Sequence, residues 1–144
     1  MVKNLVNILL VEDDEIDVMN VKRAFGKNNI LNPLHVAENG LEALNLLQGN
    51  GVEQIPVPRI ILLDLNMPKM GGIEFLKKLR MDDRFNSISV FVMTTSNEDR
   101  DKTEAYKLNV AGYILKPLSI KSFIQAVSIL NNYWQLCEYP TYEK

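Results

Sequence analysis

Five runs of four mostly apolar residues, Ile8–Val11, Leu34–Ala37, Ile60–Leu63, Val90–Met93 and Gly112–Leu115, alternate with longer segments of helical period. This alternation leaves few folds open. Runs that are apolar at nearly every position suit strands buried on both faces, which occur where helices cover both sides of a parallel sheet. The intervening segments supply those helices. Val18, Val21 and Phe25 mark an inner face in the first, Leu41, Leu44 and Leu47 in the second, and Phe123, Val127 and Leu130 in the fifth. The third is expected over about Gly72 to Leu79. Helix starts are signalled by Asn39 with Glu42, more weakly by Ser96 with Asp99, and by Ser119. A βαβαβ order with short connections predicts an α/β fold, a doubly wound five-stranded parallel sheet with right-handed crossovers. Ligands of such folds bind beyond the carboxyl ends of the strands.

One domain accommodates 144 residues, and the stretch from Gln48 to Pro58 reads as a loop within it rather than a boundary. The formal net charge is −2 and the basic residues are scattered, which argues against direct DNA binding. Apolar stretches are far shorter than a membrane helix requires and no signal-peptide pattern opens the chain, so a cytoplasmic protein is expected. Cys137 is the only cysteine and His35 the only histidine, which excludes an internal disulfide and a structural zinc site.

Chemistry concentrates where strands end. Glu12 and Asp13 follow the first, Asp64 the third, Thr94 the fourth and Lys116 the fifth. Carboxylates gathered at one sheet edge repel one another unless a cation joins them. Oxygen ligands without His or Cys select a hard cation, and few carboxylates with room for water and phosphate suit Mg2+. Lys116 adds a point positive charge suited to phosphate oxygens. Taken singly, each acid could equally be an ordinary loop-end or helix-start residue.

The ordered set Leu10-Val11-Glu12-Asp13-Asp14, Leu63-Asp64-Leu65-Asn66-Met67-Pro68, Thr94 and Tyr113-Ile114-Leu115-Lys116-Pro117 resembles the signature of response-regulator receiver domains. The resemblance spans residues 4–131 and leaves 132–144 as a C-terminal aromatic extension. It implies the flavodoxin-like receiver fold, strand order 2-1-3-4-5, and a single-domain response regulator of a two-component phosphorelay, similar to chemotaxis regulators. By resemblance, Asp64 is the phosphoacceptor, Glu12 and Asp13 are the acidic pair, and Asn66 offers its backbone carbonyl to the metal. Asp13 is favoured over Glu12 as the direct ligand. Thr94 binds the phosphoryl oxygen, Lys116 is the family lysine, Tyr113 the aromatic switch, and Lys116–Pro117 is expected to be cis. The implied donor is a phosphohistidine on a sensor histidine kinase. The loop at 48–58, the Met93-Thr94-Thr95-Ser96 run and the aromatic tail bring the chain nearest to receivers that act with bacterial phytochrome-type kinases.

Two other functions share parts of the pattern. A Mg-dependent phosphatase of the haloacid dehalogenase type has a second Asp two residues after its aspartate nucleophile, where this chain has Asn66. A flavodoxin-like flavin carrier has a hydroxyl- and glycine-rich phosphate loop after the first strand, where Glu12-Asp13-Asp14 would repel phosphate. Tyr133, Trp134, Tyr139 and Tyr142 are expected to follow the fifth helix and to anchor a homodimer, the bland alternative being that they fold back onto that helix. Truncation after Asn132 is then expected to give monomers.

Overall fold

The computed structural model describes residues 5–51 and 54–140. The chain alternates β1 (Ile8–Val11), α1 (Glu15–Lys27), β2 (Leu34–Ala37), α2 (Gly40–Gln48), β3 (Ile60–Leu63), α3 (Gly72–Met81), β4 (Ser89–Thr94), α4 (Asp99–Lys107), β5 (Gly112–Leu115) and α5 (Ile120–Leu136). All strand pairs are parallel and the sheet order is β2-β1-β3-β4-β5. This is the flavodoxin-like receiver topology that the resemblance implies.

Because strand side chains alternate between faces, each buried strand feeds two cores. Leu9, Val11, Ile61, Leu63, Val90 and Val92 join the side chains of α2 and α3 on one face. Ile8, Leu10, Ile60, Leu62, Phe91 and Met93 meet α1 and α5 on the other. Strands of continuous apolar sequence are therefore what a two-faced sheet requires.

Local sequence decides where the helices begin. Asp14 caps α1 by accepting from the Ile16 and Asp17 amides at 2.8 and 3.2 Å. Asn39 caps α2 through the Glu42 amide at 2.9 Å, and Ser119 caps α5 through Ser122 at 3.1 Å. The Ser96 start signal does not hold, since α4 begins at Asp99 after an uncapped Glu98. Ser96 instead donates its hydroxyl to Asp101 at 2.6 Å. The inner face of α2 is also rotated from the expected one. Ala43 joins Leu44 and Leu47 in the core, while Leu41 is 46% exposed.

The C-terminal aromatics differ most from expectation. Helix α5 continues to Leu136, so Tyr133 and Trp134 lie within it rather than after it. Trp134 is one turn beyond Leu130 on the buried face, 2% exposed, with its ring 6.3 Å from that of Phe25. Past the helix, the Tyr139 hydroxyl reaches the Trp134 carbonyl at 3.5 Å and the Arg59 guanidinium donates to the Pro140 carbonyl. Burial, first among several causes, pushes the Tyr139 phenol up to about 12. For Trp134 and Tyr139, folding back is what the chain does. Tyr142 lies outside the described residues.

Candidate functional site at the carboxyl edge of the sheet

The parallel ladders continue one residue past the strands and bring the chemically distinctive residues into a row. Val11 pairs with Leu63, and the Asp64 amide then donates to the Val11 carbonyl at 3.0 Å. Thr94 pairs with Leu115, and the Lys116 amide donates to the Thr94 carbonyl at 2.9 Å. Glu12 is fixed against β2 by its backbone amide, which donates to the Ala37 carbonyl at 2.9 Å.

This register gathers the carboxylates of Glu12, Asp13 and Asp64 so that one oxygen from each lies within 4.8 Å of the others. Glu12 and Asp64 are 3% and 6% exposed, whereas Asp13 faces solvent. The third acid of the run, Asp14, serves the α1 cap. A hard divalent cation fits this donor set, because it consists of oxygens alone, carries excess negative charge, and is open to water on the Asp13 side.

The protein's own cation is Lys116. Its Nζ lies 2.7 Å from Asp17, 3.0 Å from Glu12 and 3.9 Å from Asp64. Burial works to lower the ammonium's pKa, but the Asp17 bond and the attraction of Asp64 and Glu12 outweigh it and hold the pKa above its usual value. Asp17 was not singled out from the sequence. The signal that could have found it is its place one helical turn from the acidic run, on the side of α1 that looks toward β5.

Burial, then repulsion from Asp64, pushes Glu12 up from 4.5 to about 7 despite the opposing pull of Lys116. A carboxyl raised on folding stabilises the native state fully below its unfolded pKa and loses that contribution as pH rises through its folded pKa. In chelator, the wild type should therefore lose on the order of 2–3 kcal/mol from this group between pH 5 and 8. Thermal unfolding across that range should show a flatter profile for Glu12→Gln. Parallel profiles for the two proteins would refute the assignment.

Thr94 is fully buried, and its hydroxyl accepts from the Ser96 amide at 3.4 Å. The Tyr113 hydroxyl donates to the Ser96 carbonyl at 2.8 Å, so both side chains lean on the same loop between β4 and α4. Burial raises the Tyr113 phenol above its usual pKa, against the opposing pull of its hydrogen bond to Ser96. Asn66 is exposed on the loop after β3, two residues beyond Asp64. His35 is remote from this edge and pairs with the Asn7 side chain at 3.2 Å. The Lys116–Pro117 bond, expected to be cis, is trans, the ordinary preference of X–Pro bonds.

A glycine sets how closely α3 approaches the site. The Gly72 amide donates to Leu65 at 3.0 Å, and a Cβ at position 72 would come within 2.5 Å of the Asp64 carbonyl and 2.8 Å of Leu65 Cα.

A family model described as the response regulator receiver domain matches residues 8–128. The chain belongs to the response regulator receiver family. It is 35% identical over 127 residues to the probable methanogenesis regulatory protein FilR2 of Methanothrix harundinacea, covering 88% of this chain and 82% of that one. It is also 35% identical over 128 residues to response regulator Rcp1 of Synechocystis, covering 88% and 87%. The crystal structure of the Mn2+-bound form of Rcp1 superposes with a TM-score of 0.86 at 33% identity, covering 94% of this chain and 99% of that one. The phosphorylated cyanobacterial phytochrome response regulator RcpA also gives 0.86, at 29% identity, covering 92% and 96%. The chain is thus a receiver of two-component signalling, close to the phytochrome response regulators. Its acidic cluster suits a divalent metal. Among the described residues, no helix is long and apolar enough to cross a membrane.

Proposed function

We propose that this protein is a cytoplasmic response regulator whose Asp64 accepts a phosphoryl group from the phosphohistidine of a sensor histidine kinase, with Mg2+ as the cofactor. The observation that carries the reading is the convergence of three carboxylates, two of them buried, with one ammonium at the sheet's carboxyl edge. Glu12, Asp13, Asp64 and the backbone carbonyl of Asn66 would hold the Mg2+, which supplies charge neutralisation for the phosphoryl oxygens. In the transfer, a carboxylate oxygen of Asp64 bonds to phosphorus as the N–P bond of the donor breaks. The imidazole leaves with the electron pair. Phosphoryl transfer depends mostly on positioning and charge stabilisation. The roles left to the chain are therefore orientation of the nucleophile by the β1–β3 ladder and stabilisation of phosphoryl oxygens by Lys116 and Thr94.

The new group carries about −1.5 to −2 charge and strong acceptor oxygens. Drawing the Thr94 hydroxyl toward it would release the Ser96 amide and so disturb the loop that also holds Tyr113. The output is a population shift in the face made by α4, β5 and α5. Incubation with acetyl phosphate and Mg2+ followed by intact mass tests the reading, with the gain of one phosphoryl group expected. Turnover of a generic phosphomonoester without a modified protein would favour the phosphatase instead. The likeness to Rcp1 and RcpA supports a phytochrome-type kinase as donor.

A homodimer belongs to the same reading, although its anchors change. Trp134 is committed to the core, while Ile129, Tyr133 and Leu136 are 69%, 52% and 83% exposed along one stripe of α5. A symmetric pair would bury this stripe from both chains. The protein should dimerise at micromolar concentration, and Ile129→Glu with Leu136→Glu should give folded monomers, Tyr133 being left in place because its ring packs edge-on at 5.8 Å against Phe91. Light scattering over a dilution series decides it, and a wild type that stays monomeric at high concentration would rule the dimer out. Truncation after Asn132 is unsuitable because it removes Trp134 from the core.

A further inference from the structure

Lys116 can serve a phosphoryl group on Asp64 only with the donors it has free, and in the structure its shortest contact is to a different residue. The ammonium is 2.7 Å from Asp17 and 3.9 Å from Asp64. Asp17 stands on α1, outside the group of carboxylates that could share a metal, and its side chain is 28% exposed where that of Asp64 is 6% exposed. The cavity that Lys116 helps to line is otherwise apolar, with Leu10, Val21, Leu62, Met93 and Phe123, so among its lining residues the ammonium's polar partners are Asp17, Glu12 at 3.0 Å and Asp64. The lysine is thus shared between an anion at the rim and the anions of the site.

We propose that Asp17 is a positioning residue that holds the Lys116 ammonium toward α1 in the unphosphorylated protein, so that a phosphoryl group on Asp64 must draw the ammonium off Asp17. The inference rests on the phosphoacceptor reading of Asp64. Its physical basis is competition between anions. Asp17 occupies the cation that would otherwise neutralise the arriving phosphoryl oxygens. Removing its charge while keeping its shape should favour the phosphorylated state, and should do so through Lys116.

Beryllofluoride, a phosphoryl mimic that binds aspartate carboxylates without covalent turnover, provides the probe. Its affinity for the full-length protein in saturating Mg2+ is read from the bound fluorine resonance by NMR. Asp17→Asn should bind about fivefold more tightly than wild type, the worth of one partly exposed ion pair. Asp17→Glu should return the affinity toward wild type. In a Lys116→Met background, where overall affinity is lower, Asp17→Asn should bring less than a twofold change, because the residue acts through the ammonium. A purely structural role for Asp17 would not depend on Lys116 in this way.

The failures are separable. A wild type with no bound resonance overturns the phosphoacceptor reading and this inference with it. A wild type that binds beside an Asp17→Asn variant that binds no tighter overturns the inference alone. So does a fivefold gain that persists undiminished without Lys116.

Discussion

Asp64→Asn should abolish phosphorylation by acetyl phosphate while leaving the protein folded. The substitution is nearly isosteric but replaces the carboxylate nucleophile with an amide, which cannot form an acyl phosphate. It also removes one charge from a crowded cluster. The Glu12 carboxyl, held up in part by Asp64, should then titrate closer to its usual value. The metal-free variant should melt no lower than wild type, and its affinity for Mg2+ should fall because a proposed ligand is lost. Intact mass spectrometry checks the first result and a thermal melt in chelator the second. An undiminished mass shift in Asp64→Asn would remove Asp64 from the mechanism.

Trp134→Ala should be the most destabilising single change in the C-terminal helix. The indole is 2% exposed and sits with Phe25, Leu130 and Val127 in the core between α1 and α5. Large-to-small changes at such sites cost about 3–5 kcal/mol, combining lost transfer energy with the cavity left behind. For a domain of this size that corresponds to a fall in Tm of roughly 10 °C or more. Trp134→Phe should lose much less. The indole Nε1 has no hydrogen-bond partner among the described residues, so the ring's contribution is its apolar bulk. A melt of Trp134→Ala within about 2 °C of wild type would mean that α5 ends functionally before this turn.

The strands were legible because burial on both faces writes itself as unbroken apolar runs, and the site was legible because strand ends are fixed by those same runs. Asp64, Thr94 and Lys116 needed only the strand order to become neighbours. The helices were harder to read where apolar residues outnumber the space inside. In α2 the smaller Ala43 takes the core position on the face that Gly40 presses against Phe75 of α3, and Leu41 is left outside, a placement that hydropathy alone does not give. The end of α5 is not legible because Asn131 and Asn132 interrupt its apolar pattern, while packing against Phe25 carries the helix on to Leu136. Asp17 escaped notice for another reason. Its partner is 99 residues away, and an acid in the first turn of a helix is ordinary on dipole grounds alone.

The close seating of Gly72 under the Asp64 carbonyl bears on how such a protein can diverge. Any side chain at position 72 would push against the backbone that carries Asp64, the proposed phosphoacceptor, so drift there is blocked by sterics whatever the partner. The other rim of the same loop meets no such steric wall. Asn66 and Pro68 face solvent within a few residues of Asp64, although Lys69 beside them holds a left-handed backbone at φ 65°. If Asp64 is the phosphoacceptor proposed above, side chains at Asn66 and Pro68 can change what a partner meets beside it while the position of Asp64 is inherited unchanged, and recognition can evolve faster than chemistry within a single loop.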